Sequence, residues 1–438
     1  MDKDEIKKQL CSAVDASAQD IKAYADDIAV HPELGFAEKR TSARLAEELE
    51  KLGLSVRKNI AVTGLRTDIE SGKQGPRIAV LGELDGVTCR AHPQADPITG
   101  ASHSCGHNLQ TSIVLAVAAA LAKTGLMSEL SGSVSLMGTP AEEFIEITHR
   151  KEMRDNGEIY YFCGKPEFIR LGEFDNVDMA MMIHAGEGLD HPEFSIPDTG
   201  NGFRTFMLNY KGRQAHAAAA PHKGVNALYA AVAGINAVNA LRETFRDEDH
   251  VRVHFIITKG GDSVNSVPDD VRLEGYVRAG KAERIDETFD KVINAFRAGA
   301  TALGAECFVA SIPGDMPLNV SKGLNEVFAA NAAQLVGPDN VARGINFAAS
   351  TDMGDVMHIM PAIHPFAGGV TGALHSQDFK VLDFEAAVLT SAKAILMSLV
   401  DLLADNAAEA KRIIDDFKPV YTKEEYLAAM DRRFFSEI

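Results

Sequence analysis

The 438-residue sequence lacks several features that mark particular protein classes. It has only five cysteines, scattered and odd in number, which fits free thiols in a reducing compartment and argues against a disulfide-stapled fold. Basic residues are also scarce, because 44 lysines and arginines face 62 acidic residues and leave a net charge of −18. This charge repels phosphate backbones and anionic lipids, so we expect neither nucleic acid nor a membrane as the main partner.

The sequence also has no long apolar run, and we expect no N-terminal targeting segment. The longest apolar run is about half the length that a bilayer requires. The first eight residues, MDKDEIKK, mix acids with bases and lead into no apolar stretch of the kind a secretory signal or transit peptide has. We therefore expect a cytoplasmic protein. A hydrophobic content of 46% is that of a soluble globular chain, and the length indicates about two domains.

Helical and strand patterns alternate through the first 185 residues. The spacing of apolar residues predicts amphipathic helices over 3–29 and 41–52, and short β-branched or apolar runs predict strands over 54–57, 77–82, 133–137 and 177–183. Alternation of this kind indicates an α/β domain with a largely parallel central sheet.

Residues 203–311 have a different order of predicted elements, namely strand, helix, strand, strand, helix and strand. This order is typical of a ferredoxin-like α+β unit. The patterns of helices and strands in the rest of the chain resemble those of the first part. We therefore expect a discontinuous α/β catalytic domain formed by residues 1–195 and 313–438, with a ferredoxin-like domain of residues 196–312 inserted in it.

The segment 103–108, HSCGHN, carries the most specific chemistry in the chain. Cys105 and His107 stand on either side of a glycine, just before an apolar run that predicts a buried helix over 113–122. A thiol and an imidazole at this spacing are ligands for a first-row transition metal. The N-terminal end of the helix is expected to lower the pKa of Cys105. A buried thiol beside a chance histidine is the competing interpretation, so the pair needs partners elsewhere.

Such partners follow three predicted strands. Glu83 and Asp85 come after the strand over 77–82, the pair Glu142 and Glu143 after the strand over 133–137, and His184 after the strand over 177–183. Ligands of α/β sheets collect at the carboxyl ends of strands. One of two adjacent glutamates can bind a metal while its neighbour takes a proton from water. Each position taken singly also fits a turn acid, a helix-start acid or a structural histidine.

Together, these segments resemble a known family, the metal-dependent aminoacylases and carboxypeptidases of peptidase family M20. The closest subgroup contains amidohydrolases of amino-acid conjugates, such as hippurate, auxin-conjugate and p-aminobenzoyl-glutamate hydrolases. Each segment is weak alone, but the ordered set is specific and spans nearly the whole chain. The matching positions are 31–36, 82–85, 104–108, 140–143, 184, 215–217, 221, 265–268, 278 and 374–376.

The resemblance implies a set of site residues in the catalytic domain. Glu142 is the general base, and Asp85 is the acid that orients a ligand. Glu83 stands where other branches of the family have a metal-binding histidine, which leaves open whether Glu83 contacts metal. Two divalent ions per subunit are expected, of zinc, manganese or cobalt. The implied metal ligands are Cys105, His107, Glu143, His184 and His375.

The resemblance also assigns roles to the inserted domain, which is expected to form a homodimer or a higher homo-oligomer. His216 is expected to reach the partner subunit's site and hold the oxyanion. Asn265 and Arg278 are expected to receive the carboxylate of the substrate. The sequence departs from the family at residues 144–154 and 160–162, where a glycine-rich tract is usual, and at Asn108, which replaces an aspartate. These departures concern the substrate pocket.

The implied reaction is metal-dependent hydrolysis of the amide bond in N-acyl or N-aroyl amino acids, with a metal-activated water and Glu142 as general base. A dipeptidase acting on short peptides is the alternative within the enzyme class. A catalytically silent metal-binding or assembly protein on the same fold is the alternative from another class, and the intact pair Glu142 and Glu143 disfavours it. The sequence does not specify the acyl group, the amino acid or the native metal.

Overall fold

The computed structural model describes residues 1–186 and 193–438, and these contain thirteen α-helices. A single π-helical segment, Glu385–Thr390, runs directly into the eleventh helix. The helices are α1 Lys3–Ala16, α2 Ala18–Ala29, α3 Lys39–Lys51, α4 His107–Thr124, α5 Ile147–Asp155, α6 Gly164–Leu171, α7 Ala227–Leu241, α8 Ala282–Leu303, α9 Lys322–Val336, α10 Met353–Ile359, α11 Ser391–Leu403, α12 Ala408–Asp416 and α13 Lys423–Arg433.

Nineteen strands, several of them of only two residues, lie in the same described part of the chain. They are β1 Val56–Ile60, β2 Gly64–Glu70, β3 Arg77–Glu83, β4 Val87–Thr88, β5 Ala101–Ser102, β6 Ser133–Thr139, β7 Met179–Met181, β8 His184–Ala185, β9 Phe194–Gly200, β10 Gly202–Lys211, β11 Arg252–Lys259, β12 Asp270–Ala279, β13 Glu306–Pro313, β14 Val341–Phe347, β15 Ala362–Ile363, β16 Phe366–Ala367, β17 Val370–Thr371, β18 Lys380–Val381 and β19 Phe435–Ser436.

The chain forms two compact units. The first contains residues 1–199, 319–346 and 355–423, and the second contains residues 200–318, 347–354 and 424–438. The sequence placed the boundaries at 195/196 and 312/313 and kept the C-terminal segment in the catalytic domain. In the structure, residues 424–438 belong to the second unit, because β19 pairs with β13 through Ser436 and Ala310.

A six-stranded mixed sheet organises the first unit, in the order β1-β2-β6-β3-β7-β15. Strands β6, β3, β7 and β15 are parallel to one another, whereas β1 and β2 are antiparallel to their neighbours. Glu83 at the end of β3 pairs with Thr139 at the end of β6, so residues 83–85 and 140–143 leave the sheet side by side. This register brings the acids of both strand ends to one edge.

Helix α4 packs against β3 and is buried from His107 to Leu121. It begins directly after Gly106, whose φ of 85° is left-handed, and ends at Gly125, φ 66°. The helix thus starts six residues earlier than the apolar run predicted. Residues 3–29, predicted as a single helix, form two helices that break at Ser17. The stretch Glu385–Leu403 is long and apolar enough to cross a membrane, but 83% of its apolar window is buried inside the protein.

The second unit is built on an antiparallel sheet in the order β11-β12-β10-β13-β19. The first four strands and the helices α7 and α8 follow the predicted β-α-β-β-α-β order. Lys211 pairs with Asp270 at one end of the β10-β12 ladder, and Gly202 pairs with Ala279 at the other. An α/β catalytic domain with an inserted ferredoxin-like domain is therefore confirmed.

Candidate metal centre

Donor side chains of the first unit converge at the carboxyl edge of its sheet. Cys105 immediately precedes Gly106, His107 is the first residue of α4, and His184 opens β8. Glu143 follows the end of β6, and His375 follows β17. The chain brings together five residues separated by up to 270 positions, all of them predicted from sequence as metal ligands.

These five residues form two groups of three that share Cys105. One group is Cys105, His107 and His184, and the other is Cys105, Glu143 and His375. The Cys105 Sγ lies 3.5 Å from His184 Nε2 and 3.2 Å from His375 Nε2, and His375 Nε2 lies 3.0 Å from Glu143 Oε1. Ligands bound to one ion at about 2.0–2.3 Å lie about 3.0–3.6 Å apart. Each of the two groups therefore has the donor spacing that would hold one divalent ion.

Hydrogen bonds on the far side of each imidazole turn the ligating nitrogens toward the centre. His107 Nδ1 donates to the carbonyl oxygen of Asp85 at 2.9 Å, and His184 Nδ1 donates to the carbonyl oxygen of Ala185 at 2.7 Å. A carbonyl oxygen only accepts, so Nδ1 of each ring carries a proton and Nε2 is the nitrogen left to bind an ion. The carboxylate of Asp85 contacts His107 Nδ1 at 3.1 Å and accepts the Glu143 N–H at 3.0 Å, which ties the two groups together.

Two atoms of the centre are buried without a hydrogen bond to any described residue, namely His107 Nε2 and Glu143 Oε1. Each nevertheless lies near another donor group, since His107 Nε2 is 3.1 Å from Glu83 Oε2 and Glu143 Oε1 is 3.0 Å from His375 Nε2. Buried polar atoms are otherwise nearly always hydrogen-bonded. Lone pairs that face one another in this way fit a cation placed between them.

The local charge points to the same need for a cation. Burial opposes protonation of His107, but the neighbouring carboxylates Glu83 and Asp85 raise its pKa to about 9. Burial lowers the pKa of His184 to about 4, with a further contribution from His107. The predicted lowering of the Cys105 pKa was wrong, because burial and the carboxylates of Glu143 and Glu142 raise it well above its ordinary value. In the ion-free centre, protons take the place of the cation.

The loop that carries the paired glutamates is held by a residue that the sequence did not single out. Glu38 is fully buried, and its carboxylate accepts the Ala141 N–H at 2.8 Å and the Thr63 hydroxyl at 2.6 Å. Ala141 has a left-handed φ of 51°, a strained conformation for a residue with a Cβ. The neighbouring Glu142 keeps 12% of its side chain exposed, with Oε2 3.9 Å from His107 Nε2. The sequence signal that could have indicated Glu38 is its position shortly after the segment 31–36.

The chain has relatives of known activity along most of its length. Residues 200–302 match the family model of a peptidase dimerisation domain. The mouse Xaa-Arg dipeptidase is 29% identical over 423 residues, which cover 91% of this chain and 89% of the mouse protein. One of the subunits of the Escherichia coli p-aminobenzoyl-glutamate hydrolase is 30% identical over 315 residues, 69% of this chain and 60% of that protein.

Among solved structures, the fold is similar to a dinuclear metal-binding peptidase of the M20 family from Bacillus subtilis. The TM-score is 0.69 at 19% sequence identity, and the match covers 89% of this chain and 99% of that one. The chain is therefore similar to the M20 peptidase family along most of its length. It is a metal-dependent amidohydrolase, as its sequence predicted.

The remaining predicted site residues lie in the second unit. His216 and Asn265 occupy two loops that pair with each other, through a bridge between His216 and Ser266 and a hydrogen bond from the Ala217 N–H to the Asn265 carbonyl oxygen at 2.9 Å. The His216 Nδ1 accepts the backbone N–H groups of residues 218 and 219. Both loops lie at the end of the sheet where Lys211 pairs with Asp270.

Arg278 lies at the other end of the same strand ladder. It pairs with Phe203 in β10, and its guanidinium stacks on the rings of Phe203 and Tyr276 at 5.4 and 4.8 Å. Asp270 and Arg278 are eight residues apart in β12, which corresponds to about 27 Å at the usual strand rise. Within one chain, the structure therefore brings His216 close to Asn265 but separates both from Arg278.

Binding of divalent ions to the ion-free protein is expected to release protons. The thiol of Cys105 has a raised pKa and is protonated at neutral pH without an ion, whereas a coordinated sulfur is a thiolate. Affinity should accordingly rise with pH throughout the range below that pKa. Calorimetric titration of Zn²⁺ in two buffers of different ionisation enthalpy measures the protons released. The variant Cys105→Ala should release about one proton fewer, and an unchanged number would contradict the assignment of this thiol.

Proposed function

We propose that this M20 hydrolase cleaves the amide bond of N-acyl or N-aroyl amino acids. The observation that carries the proposal is the pair of donor groups sharing Cys105, with the carboxylate of Glu142 beside them. The E. coli relative, named for hydrolysis of p-aminobenzoyl-glutamate, supports this substrate class. The product is a free amino acid together with a carboxylic acid.

The donors divide between two divalent ions, which we expect to be zinc, manganese or cobalt. Cys105, His107 and His184 would hold one ion, and Cys105 with Glu143 and His375 would hold the other. When bound, such ions polarise a carbonyl oxygen and lower the pKa of water. Asp85 serves the centre from outside by fixing the ring of His107 and the backbone of Glu143.

Glu142 moves the proton in this proposal. Its carboxylate takes a proton from the attacking water and returns it to the nitrogen of the leaving amine, so that one group serves as base and then as acid. The hydrogen bonds from Ala141 and Glu143 to Glu38 and Asp85 hold the loop on both sides of Glu142. The imidazole of His216 stabilises the oxyanion of the tetrahedral intermediate.

A homodimer follows from the positions of the residues in the second unit. The Asn265 loop lies at the Asp270 end of β12, and Asp270 is about 27 Å from Arg278 along that strand. Asn265 and Arg278 of one chain are therefore too far apart to hold one substrate carboxylate together. If both bind it, they come from two chains, and the matched dimerisation domain supports this arrangement. We expect His216 and Asn265 to act in the partner's site, and the enzyme to work in the cytoplasm.

A dipeptidase is the second candidate function. It is favoured by the mouse Xaa-Arg dipeptidase, whose similarity covers 91% of this chain. A dipeptide offers a free amino group where an acyl amino acid offers an apolar or aromatic group. The two functions therefore differ at the acyl side of the scissile bond and share the centre described above.

A substrate panel tests the proposed class. Protein reconstituted with Zn²⁺, Mn²⁺ or Co²⁺ is assayed for release of amino acid from N-acetyl, N-benzoyl and p-aminobenzoyl amino acids, alongside dipeptides ending in arginine or glutamate. We expect kcat/KM to be highest for the acylated substrates. Preference for dipeptides would replace the first candidate by the second, and hydrolysis of neither would reject both.

Replacing Glu142 separates proton transfer from ion binding. Glu142→Gln removes the base and leaves both donor groups intact. It should therefore lower kcat by about 10²–10⁴ while the metal content stays the same. Glu152→Gln, an exposed position in α5, is the matched control and should behave as wild type. Activity and metal analysis on the same preparations give both readouts. Wild-type turnover in Glu142→Gln would show that another group is the base.

Mixing of two inactive variants tests the contribution of the partner chain. His216→Ala and Glu142→Gln are each expected to be nearly inactive as homodimers. After exchange of chains, a mixed dimer has one site in which both residues are intact, so about a quarter of wild-type activity should return. No recovery from fully exchanged dimers would place His216 in the site of its own chain or outside the reaction.

A further inference from the structure

A fully buried lysine stands next to the candidate metal centre. Lys165 lies in α6, and its Nζ is 2.5 Å from Glu83 Oε1. Neither side chain has any exposed surface. Removing both charges from water is costly, and an apolar pair of similar volume is often at least as stable. An ion pair in this position therefore calls for a function besides packing.

The second carboxylate oxygen of Glu83 faces the centre. Glu83 Oε2 accepts a hydrogen bond from Gln110 Nε2 at 2.8 Å and lies 3.1 Å from His107 Nε2. The backbone N–H of Glu83 also donates to Gln110 Oε1 at 3.1 Å. The carboxylate is thus fixed by α6 through one oxygen and by α4 through the other. Oε2 is directed at Nε2 of His107, the nitrogen expected to bind an ion.

Glu83 also belongs to a third group of potential donors, with His107 and Glu142. The carboxylate therefore contributes negative potential to the ion position at which His107 takes part. Lys165 contributes positive potential at the same ion position, from a greater distance, because it contacts the other oxygen of the carboxylate, Oε1. The two residues act on a nearby cation with opposite signs, and charges in a buried site are poorly screened.

We propose that Lys165 is a positioning residue for the ion held by Cys105, His107 and His184. Lys165 fixes Glu83 with Oε2 directed at that ion position and offsets its charge, so that the pair sets the affinity for the ion. Glu83 strengthens binding of the cation, and Lys165 weakens it. This inference rests on the metal centre of the proposed function and answers the question that the sequence left open about Glu83.

Three variants test the opposite effects of Glu83 and Lys165 on the affinity for the ion. Metal-free protein is titrated with Co²⁺, followed by calorimetry and by the thiolate-to-cobalt absorption that reports on Cys105. Glu83→Gln should weaken one of the two binding events by at least about tenfold, and Lys165→Met should strengthen it by at least about tenfold. The double variant, which removes both charges, should bind within about tenfold of wild type. Equal Co²⁺ affinities of wild type and the three variants would show that the pair has no effect on ion binding and would overturn the inference.

Each single variant removes one charge of the buried pair and can prevent folding. The double variant avoids this problem and carries a second measurement, the visible spectrum of its bound Co²⁺. If Glu83 acts on the ion, loss of its carboxylate should change the position or intensity of the cobalt bands. An unchanged spectrum in the folded double variant would overturn the inference without the single variants.

Lys7→Met is the matched control, because Lys7 also forms an ion pair within the first unit, a part-buried one 2.7 Å from Asp401, and belongs to none of the donor groups. It should lower the melting temperature without changing either cobalt affinity. Wild-type protein distinguishes the two proposals. If it binds no Co²⁺ or hydrolyses no amide, the proposed function fails. If it does both and the Lys165 and Glu83 variants bind like wild type, only this inference fails.

Discussion

The carboxylate of Asp85 joins the two halves of the candidate metal centre. One oxygen lies against His107 Nδ1 and the other accepts the backbone N–H of Glu143, so residues from α4 and from the loop after β6 are held at fixed distance. This contact exists because β3 and β6 run parallel and end together, Glu83 beside Thr139. Ligand spacing in the centre thus depends on sheet register.

The same contact concentrates negative charge in the protein interior. Four carboxylates and a thiol meet where little water can reach them, and burying unpaired charge is among the most costly changes in a protein. The chain supplies some compensation itself, through Lys165 and through protons on His107 and Cys105. Bound divalent ions would supply the rest, so ion binding should stabilise the first unit.

The sequence predicted the fold class and the order of elements because period and turn residues are local properties. The five residues expected from sequence to bind metal do lie close together in the structure, whereas their role as ligands stays a prediction. Lys165 and Glu38 could not be found in this way, because their partners Glu83 and Ala141 are distant along the chain and carry no shared pattern. The pKa of Cys105 was predicted from its own helix, whereas burial and carboxylates distant along the chain raise it.

Strained backbone surrounds the ligands. Ala141, Gly106 and His375 have left-handed φ values of 51°, 85° and 60°, and only glycine adopts these without cost. The two strained residues are fixed by tertiary contacts. The Ala141 N–H donates to the carboxylate of Glu38 at 2.8 Å, and the His375 N–H donates to the Ser104 carbonyl oxygen at 2.9 Å. That bond places the last ligand of the chain beside the first. A shared ion would reinforce the same geometry, because it binds the side chains of both segments at once.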